Sequence, residues 1–149
     1  MKRFIITAAT LFILFAVTGC GAKKIRNPIS VETYKEVSEA NGLTVDIKKG
    51  EASTSCNGKG EKLSSQFYVF DNVEKGDAAY EYLISQLVTS VTGENVTTNK
   101  TDTEYKKCII KSTTVYSAVI QLDNTLVYAY SLSGDGEALV EEYLKALSY

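Results

Sequence analysis

Apolar and polar positions alternate most regularly in the last third of the chain, where 105–112, 115–122 and 125–132 read as three strands. Asp123-Asn124 separates the second from the third. Both residues tolerate positive φ, so the pair predicts a two-residue type I′ hairpin turn. Such a turn fixes register. Leu122 then pairs with Thr125, Ile120 with Val127 and Ala118 with Ala129 on one face. Gln121 pairs with Leu126, Val119 with Tyr128 and Ser117 with Tyr130 on the other. The alanine pair lets helices approach closely, so that face is expected against helices. The opposite face mixes Tyr, Lys and Val, and is either partly wet or covered by one helix.

Three helical segments accompany these strands. Ser30 is a good N-cap, flanked by Ile29 and Tyr34 as a hydrophobic staple, and Gly42 stops the helix it begins. Leu43, Val45 and Ile47 alternate with polar residues as a half-buried strand, and the Gly-, Ser- and Lys-rich stretch 48–65 reads as a long loop. An aromatic strand, 66–71, leads through an Asp71/Glu74 capping box into a helix. That helix carries Ala79, Tyr80, Leu83, Ile84 and Leu87 along one side and ends near 91–93. A polar loop over 92–103 follows. The last helix, 136–147, buries Val140, Tyr143, Leu144 and Leu147. The order α-β-β-α-β-β-β-α predicts a single α+β domain, a mainly antiparallel sheet of about five strands packed with three helices.

The amino terminus has a different character. Lys2 and Arg3 precede an apolar run over 4–17, which is too short to span a bilayer comfortably and ends at Val17-Thr18-Gly19-Cys20. This resembles the lipobox of bacterial lipoproteins; an ordinary cleaved signal and an uncleaved anchor are the alternatives. The resemblance implies that the Cys20 thiol receives a diacylglyceryl group and that cleavage leaves Cys20 as the first mature residue. The chain then divides into a signal peptide (1–19), a lipidated tether (20–29) and one domain (30–149), held at the extracytoplasmic face of the cell membrane. The tether reaches at most about 30 Å. Its Lys23, Lys24 and Arg26 suit an anionic surface, or simply a solvated linker.

Removing residues 1–19 takes away two basic residues and no acid, so the formal charge moves from −2 to −4. With no basic run in the domain, nucleic acid is not an expected partner. The chain contains no His and no Trp. That excludes His-based triads and the commonest metal ligand. The acid groups Asp71, Glu74 and Asp77, and Asp135, Glu137 and Glu141, lie at helix N-termini, where capping explains them. No catalytic residue, metal site or cofactor is assigned. Cys56 and Cys108 either pair, closing a loop of about 53 residues worth roughly 4 kcal/mol, or stay free and buried.

The lipobox, the element order and the turn Leu122-Asp123-Asn124-Thr125-Leu126 before a Tyr-rich strand together resemble small exported lipoproteins of clostridia-like Gram-positive bacteria. The resemblance implies a location and an architecture, without an activity. The expected role is a non-catalytic module binding an envelope protein or cell-wall polymer. Its surface would be Ser117, Val119, Tyr128 and Tyr130, with Lys107 and Lys111 on the neighbouring strand; the alternative is that this face is core under a helix. A second expectation is a small-ligand pocket between the sheet and the 48–65 loop.

Overall fold

The chain runs α1 (Val31–Ala40), β1 (Thr44–Lys49), β2 (Ser53–Lys59), β3 (Leu63–Phe70), α2 (Val73–Ser90), β4 (Val96–Thr101), β5 (Lys106–Lys111), β6 (Tyr116–Leu122), β7 (Thr125–Ser131) and α3 (Gly136–Ala146). The strands form one sheet in the order β1-β2-β3-β7-β6-β5-β4, every pair antiparallel. The computed structural model describes residues 27–90, 96–101 and 105–149. The signal segment, Cys20 and most of the tether lie outside them.

The α+β class, the antiparallel sheet and the three helices are as the pattern predicts, and the β6–β7 register matches pair for pair. Two polar stretches are strands instead of loops. The 48–65 segment contains β2, so it belongs to the sheet and is not a loop lying over it. The 92–103 segment contains β4, the edge strand beside β5. The sheet therefore has seven strands, where about five were expected. The turn also differs in detail. Only Asp123 is left-handed (φ +54°), so it is not the type I′ pair.

Helices cover both faces of the sheet. α1 and α3 pack on one, over Ala118, Ala129, Phe67, Cys56, Ile120 and Val127. Ser38 and Tyr143 share a hydrogen bond of 2.8 Å between these two helices. Tyr34 stacks on Phe67 with ring centroids 5.0 Å apart. The cap of α1 is as expected, the Thr33 amide donating to Ser30 Oγ at 3.1 Å, and Gly42 (φ +78°) follows the helix. α2 packs alone on the other face, over Cys108, Ile110, Val119 and Leu126, through Ala79, Tyr80, Leu83, Ile84 and Leu87. Its cap is Asn72, whose Oδ1 accepts from the Lys75 amide at 2.9 Å. Asp71 instead pairs with the Lys75 ammonium.

Burial raises the phenol pKa of Tyr34, Tyr80 and Tyr116 well above the ordinary range, and pushes Tyr128 up to about 12. The folded protein thus holds protons that the unfolded chain releases near pH 10. Stability is full below that pH and falls as pH rises through the folded-state values. Urea unfolding should show a lower midpoint at about pH 10.5 than at about pH 8.5. An equal or higher midpoint would contradict the packing of these rings.

Candidate functional site

Strand parity sorts the residues expected at the surface into two groups. Cys108 pairs with Val119 and Ile110 with Ser117, which turns Cys108 and Ile110 toward α2. Lys107 and Lys111 consequently point to the opposite face. There α3 takes both: Lys107 Nζ meets both carboxylate oxygens of Glu141 at 3.1 Å, and Lys111 pairs with Glu137. Tyr116 Oη also donates to Glu141 at 2.7 Å. The two lysines brace α3 against β5 and do not flank the tyrosines. Other helix-start acids are likewise spoken for, Asp77 by Lys106 and Asp135 by Lys62.

Ser117, Val119, Tyr128 and Tyr130 do share the α2 face, at different depths. Val119 and Ser117 are buried, and Ser117 Oγ donates to the Ile110 carbonyl at 3.4 Å. Tyr128 and Tyr130 are half-buried and stack on each other, with centroids 5.2 Å apart and planes 22° apart. Among the described residues, neither phenol hydroxyl has a hydrogen-bond partner. β3 lies alongside, pairing Ser64 with Tyr130 and Gln66 with Tyr128.

Beyond the last turn of α2, the face opens. A depression of about 320 Å³ is bounded by Leu87 and Ser90 of α2, the Ser112–Val115 turn, and Tyr128, Tyr130 and Leu132. A second, of about 240 Å³, adjoins it and shares Tyr130 and Leu132, with Ser64, Lys62, Glu61 and Ser133 around it. Leu132, the residue after β7, is 68% exposed. It continues the parity of Tyr128 and Tyr130, the one sequence signal that points to it. Ser64 reaches the site only through the β3–β7 pairing, which no local pattern reveals.

The two cysteines are apart. Cys56 belongs to the α1/α3 core and Cys108 to the α2 core, on strands four places distant in the sheet, about 19 Å. Both are free thiols. A disulfide needs Cα atoms within about 7 Å, so of the two alternatives the bridge is not made and the buried free thiols are observed. Desolvation by burial raises both thiol pKa values, which keeps them unreactive.

The described chain begins at the far end from these depressions. Ile29 packs into the α1/α3 core and Tyr149 lies against its backbone, while Tyr149 Oη shares a 3.2 Å hydrogen bond with Thr125 Oγ1. From Thr125 to Tyr130, β7 covers about 17 Å. Ile29 thus lies toward the opposite end of the strands and on the opposite face from the depressions.

No family model matches this chain. No curated protein matches it either. Among solved structures, a GTP binding regulator from Thermotoga maritima is similar over 79% of this chain and 84% of that one, at 17% identity and a TM-score of 0.47. Likeness of that order bears on neither ligand nor activity. Among the described residues, no group of His, Cys, Asp and Glu could hold a metal ion.

Proposed function

We propose that this protein is a lipid-anchored binding module at the extracytoplasmic face of the cell membrane, recognising envelope material through the open end of its α2 face. One observation carries the binding half: two stacked tyrosines, whose hydroxyls have no partner among the described residues, and an exposed leucine border a depression that no described residue covers. Half-buried tyrosine offers apolar area and a hydrogen-bonding tip together, the combination that interfaces favour. The anchoring half rests on Val17-Thr18-Gly19-Cys20 after a short apolar run. Anchor and site are compatible, because Ile29, where the proposed tether joins the domain, lies toward the opposite end of the strands from the depression.

Among the described residues no helix is long and apolar enough to cross a membrane, so retention would depend on the segment around Cys20. Cys20→Ser should abolish lipid labelling and leave an unprocessed precursor or a released protein, because stable anchoring takes more than one acyl chain. Fractionation that finds the variant normally labelled and firmly membrane-bound would overturn the anchor. Immobilised full chain should retain envelope material from detergent extracts, and Leu132→Asp should release it. Retention unchanged by that substitution would place the binding surface elsewhere.

A further inference from the structure

We infer that the open end of the α2 face binds a neutral glycan segment; this rests on the binding-module reading and names its ligand class. The residues around the larger depression are Leu87, Ser90, the Ser112–Val115 turn, Ser117, Tyr128, Tyr130 and Leu132, without a single formal charge. An ionic ligand placed there would lose hydration without gaining a counter-charge. Phosphate polymers, nucleotides and charged peptides are therefore poorly matched. Neutral groups that need hydrogen bonds are well matched, because the lining is rich in hydroxyls.

Two of those hydroxyls retain full capacity. The Tyr128 and Tyr130 phenols are unpartnered among the described residues, while buried Ser117 donates to the Ile110 carbonyl. Between the hydroxyls stand the Tyr130 ring and the exposed Leu132 side chain. A sugar ring has the complementary build, with hydroxyls around its rim and C–H groups on its faces. C–H faces pack on aromatic and aliphatic side chains, and rim hydroxyls exchange hydrogen bonds with serine, threonine and tyrosine.

The surface also has the length for a polymer. Register places Ser117, Tyr130, Ser64, Lys59 and Thr44 in one row across β6, β7, β3, β2 and β1. Four strand spacings make that row about 19 Å long, enough for several linked sugar rings. It continues into the open depression formed by Thr44, Asp46, Lys48, Asn57 and Lys59. Charge enters beside the row at Glu61 and Lys62, which line the smaller depression with Ser64, and within it at Lys59.

Calorimetry on the full chain in detergent micelles tests this, using neutral tetrasaccharides of N-acetylglucosamine and of glucose, with polyglycerol phosphate as the anionic comparator. At least one neutral tetrasaccharide should bind, with affinity changing less than about twofold between about 50 and about 500 mM salt. Tyr130→Ala should weaken it about tenfold. Leu132→Ser, at an exposed position that folding does not need, should weaken it about threefold. Val73→Ser, at the other end of α2, should leave it unchanged. Binding of neither sugar, binding of polyglycerol phosphate alone, or sugar binding indifferent to both site variants would each overturn the proposal. If sugars fail while Leu132→Asp still abolishes retention of an envelope protein, the glycan is wrong and the binding face stands. If that substitution also has no effect, both fall.

Discussion

Phe67→Ala should cost about 3–5 kcal/mol, a large share of the 5–15 kcal/mol that typically separates folded from unfolded domains. Phe67 sits at the middle of β3, fully buried, between Cys56 on β2 and Val127 on β7. Its ring stacks on Tyr34, so it joins α1 to the centre of the sheet. Truncation removes the transfer energy of the ring and leaves a cavity that strands on both sides prevent from collapsing. Urea unfolding should show a much lower midpoint with an unchanged slope. A loss under about 1 kcal/mol would mean that α1 does not pack as described.

The second large loss is expected from replacing Asp123 and Asn124 together by valine. Asp123 holds φ +54°, a region β-branched residues resist. Around it the turn is tied down on three sides. Gln121 Nε2 donates to the Asp123 carbonyl at 2.7 Å, Asn124 Nδ2 donates to the Phe70 carbonyl at 2.6 Å, and the Phe70 amide donates to the Asn124 carbonyl at 2.9 Å. Gly76 of α2 presses so close that an added Cβ would lie 3.2 Å from the Asp123 carbonyl oxygen. Strain of about 1–3 kcal/mol and one lost hydrogen bond of about 1 kcal/mol give a total near 3 kcal/mol. Glu51→Ala with Ala52→Ser, at the exposed tip joining β1 to β2, should change stability by less than about 0.5 kcal/mol. Equal losses in the two double variants would contradict the clamping of β6–β7 to β3 and α2.

The same turn shows why some of the fold was legible. A two-residue connection sets parity, and parity assigned every side chain of β6 and β7 to its face before any long-range contact was known. β5 offered no such handle. It joins β6 through Ser112–Val115, and Lys106-Lys107-Cys108-Ile109-Ile110-Lys111 has no strict alternation to show which residues face α2. Sequence alone therefore does not show that Lys107 and Lys111 turn toward α3. β2 was hidden for another reason. Ser53–Lys59 holds Cys56 as its one apolar side chain of any size, because α1 covers only Cys56 and Gly58 there and the other face is open. Gly58 in fact lies tight against Leu43 and Tyr34, where a Cβ would approach Leu43 Cδ2 to 2.8 Å. A residue that reads as loop flexibility is there for close packing.

Legibility of the site followed the same division. Tyr128 and Tyr130 were found by alternation along one strand, whereas Ser64, Leu87 and Ser90 arrive from elements distant in the chain. The extent of helical cover was also invisible, since it depends on where α2 ends relative to β7. That relation leaves Leu132 in solvent, and it separates a buried aromatic face from a recognition surface.

Photo-crosslinking in intact cells tests that separation most directly. A benzophenone side chain is placed at Leu132 in one variant and at Val73 in another; both positions are exposed, at opposite ends of the α2 side. A discrete envelope adduct is expected from Leu132 and none from Val73. An adduct from Val73 alone, or the same adduct from both positions, would contradict it.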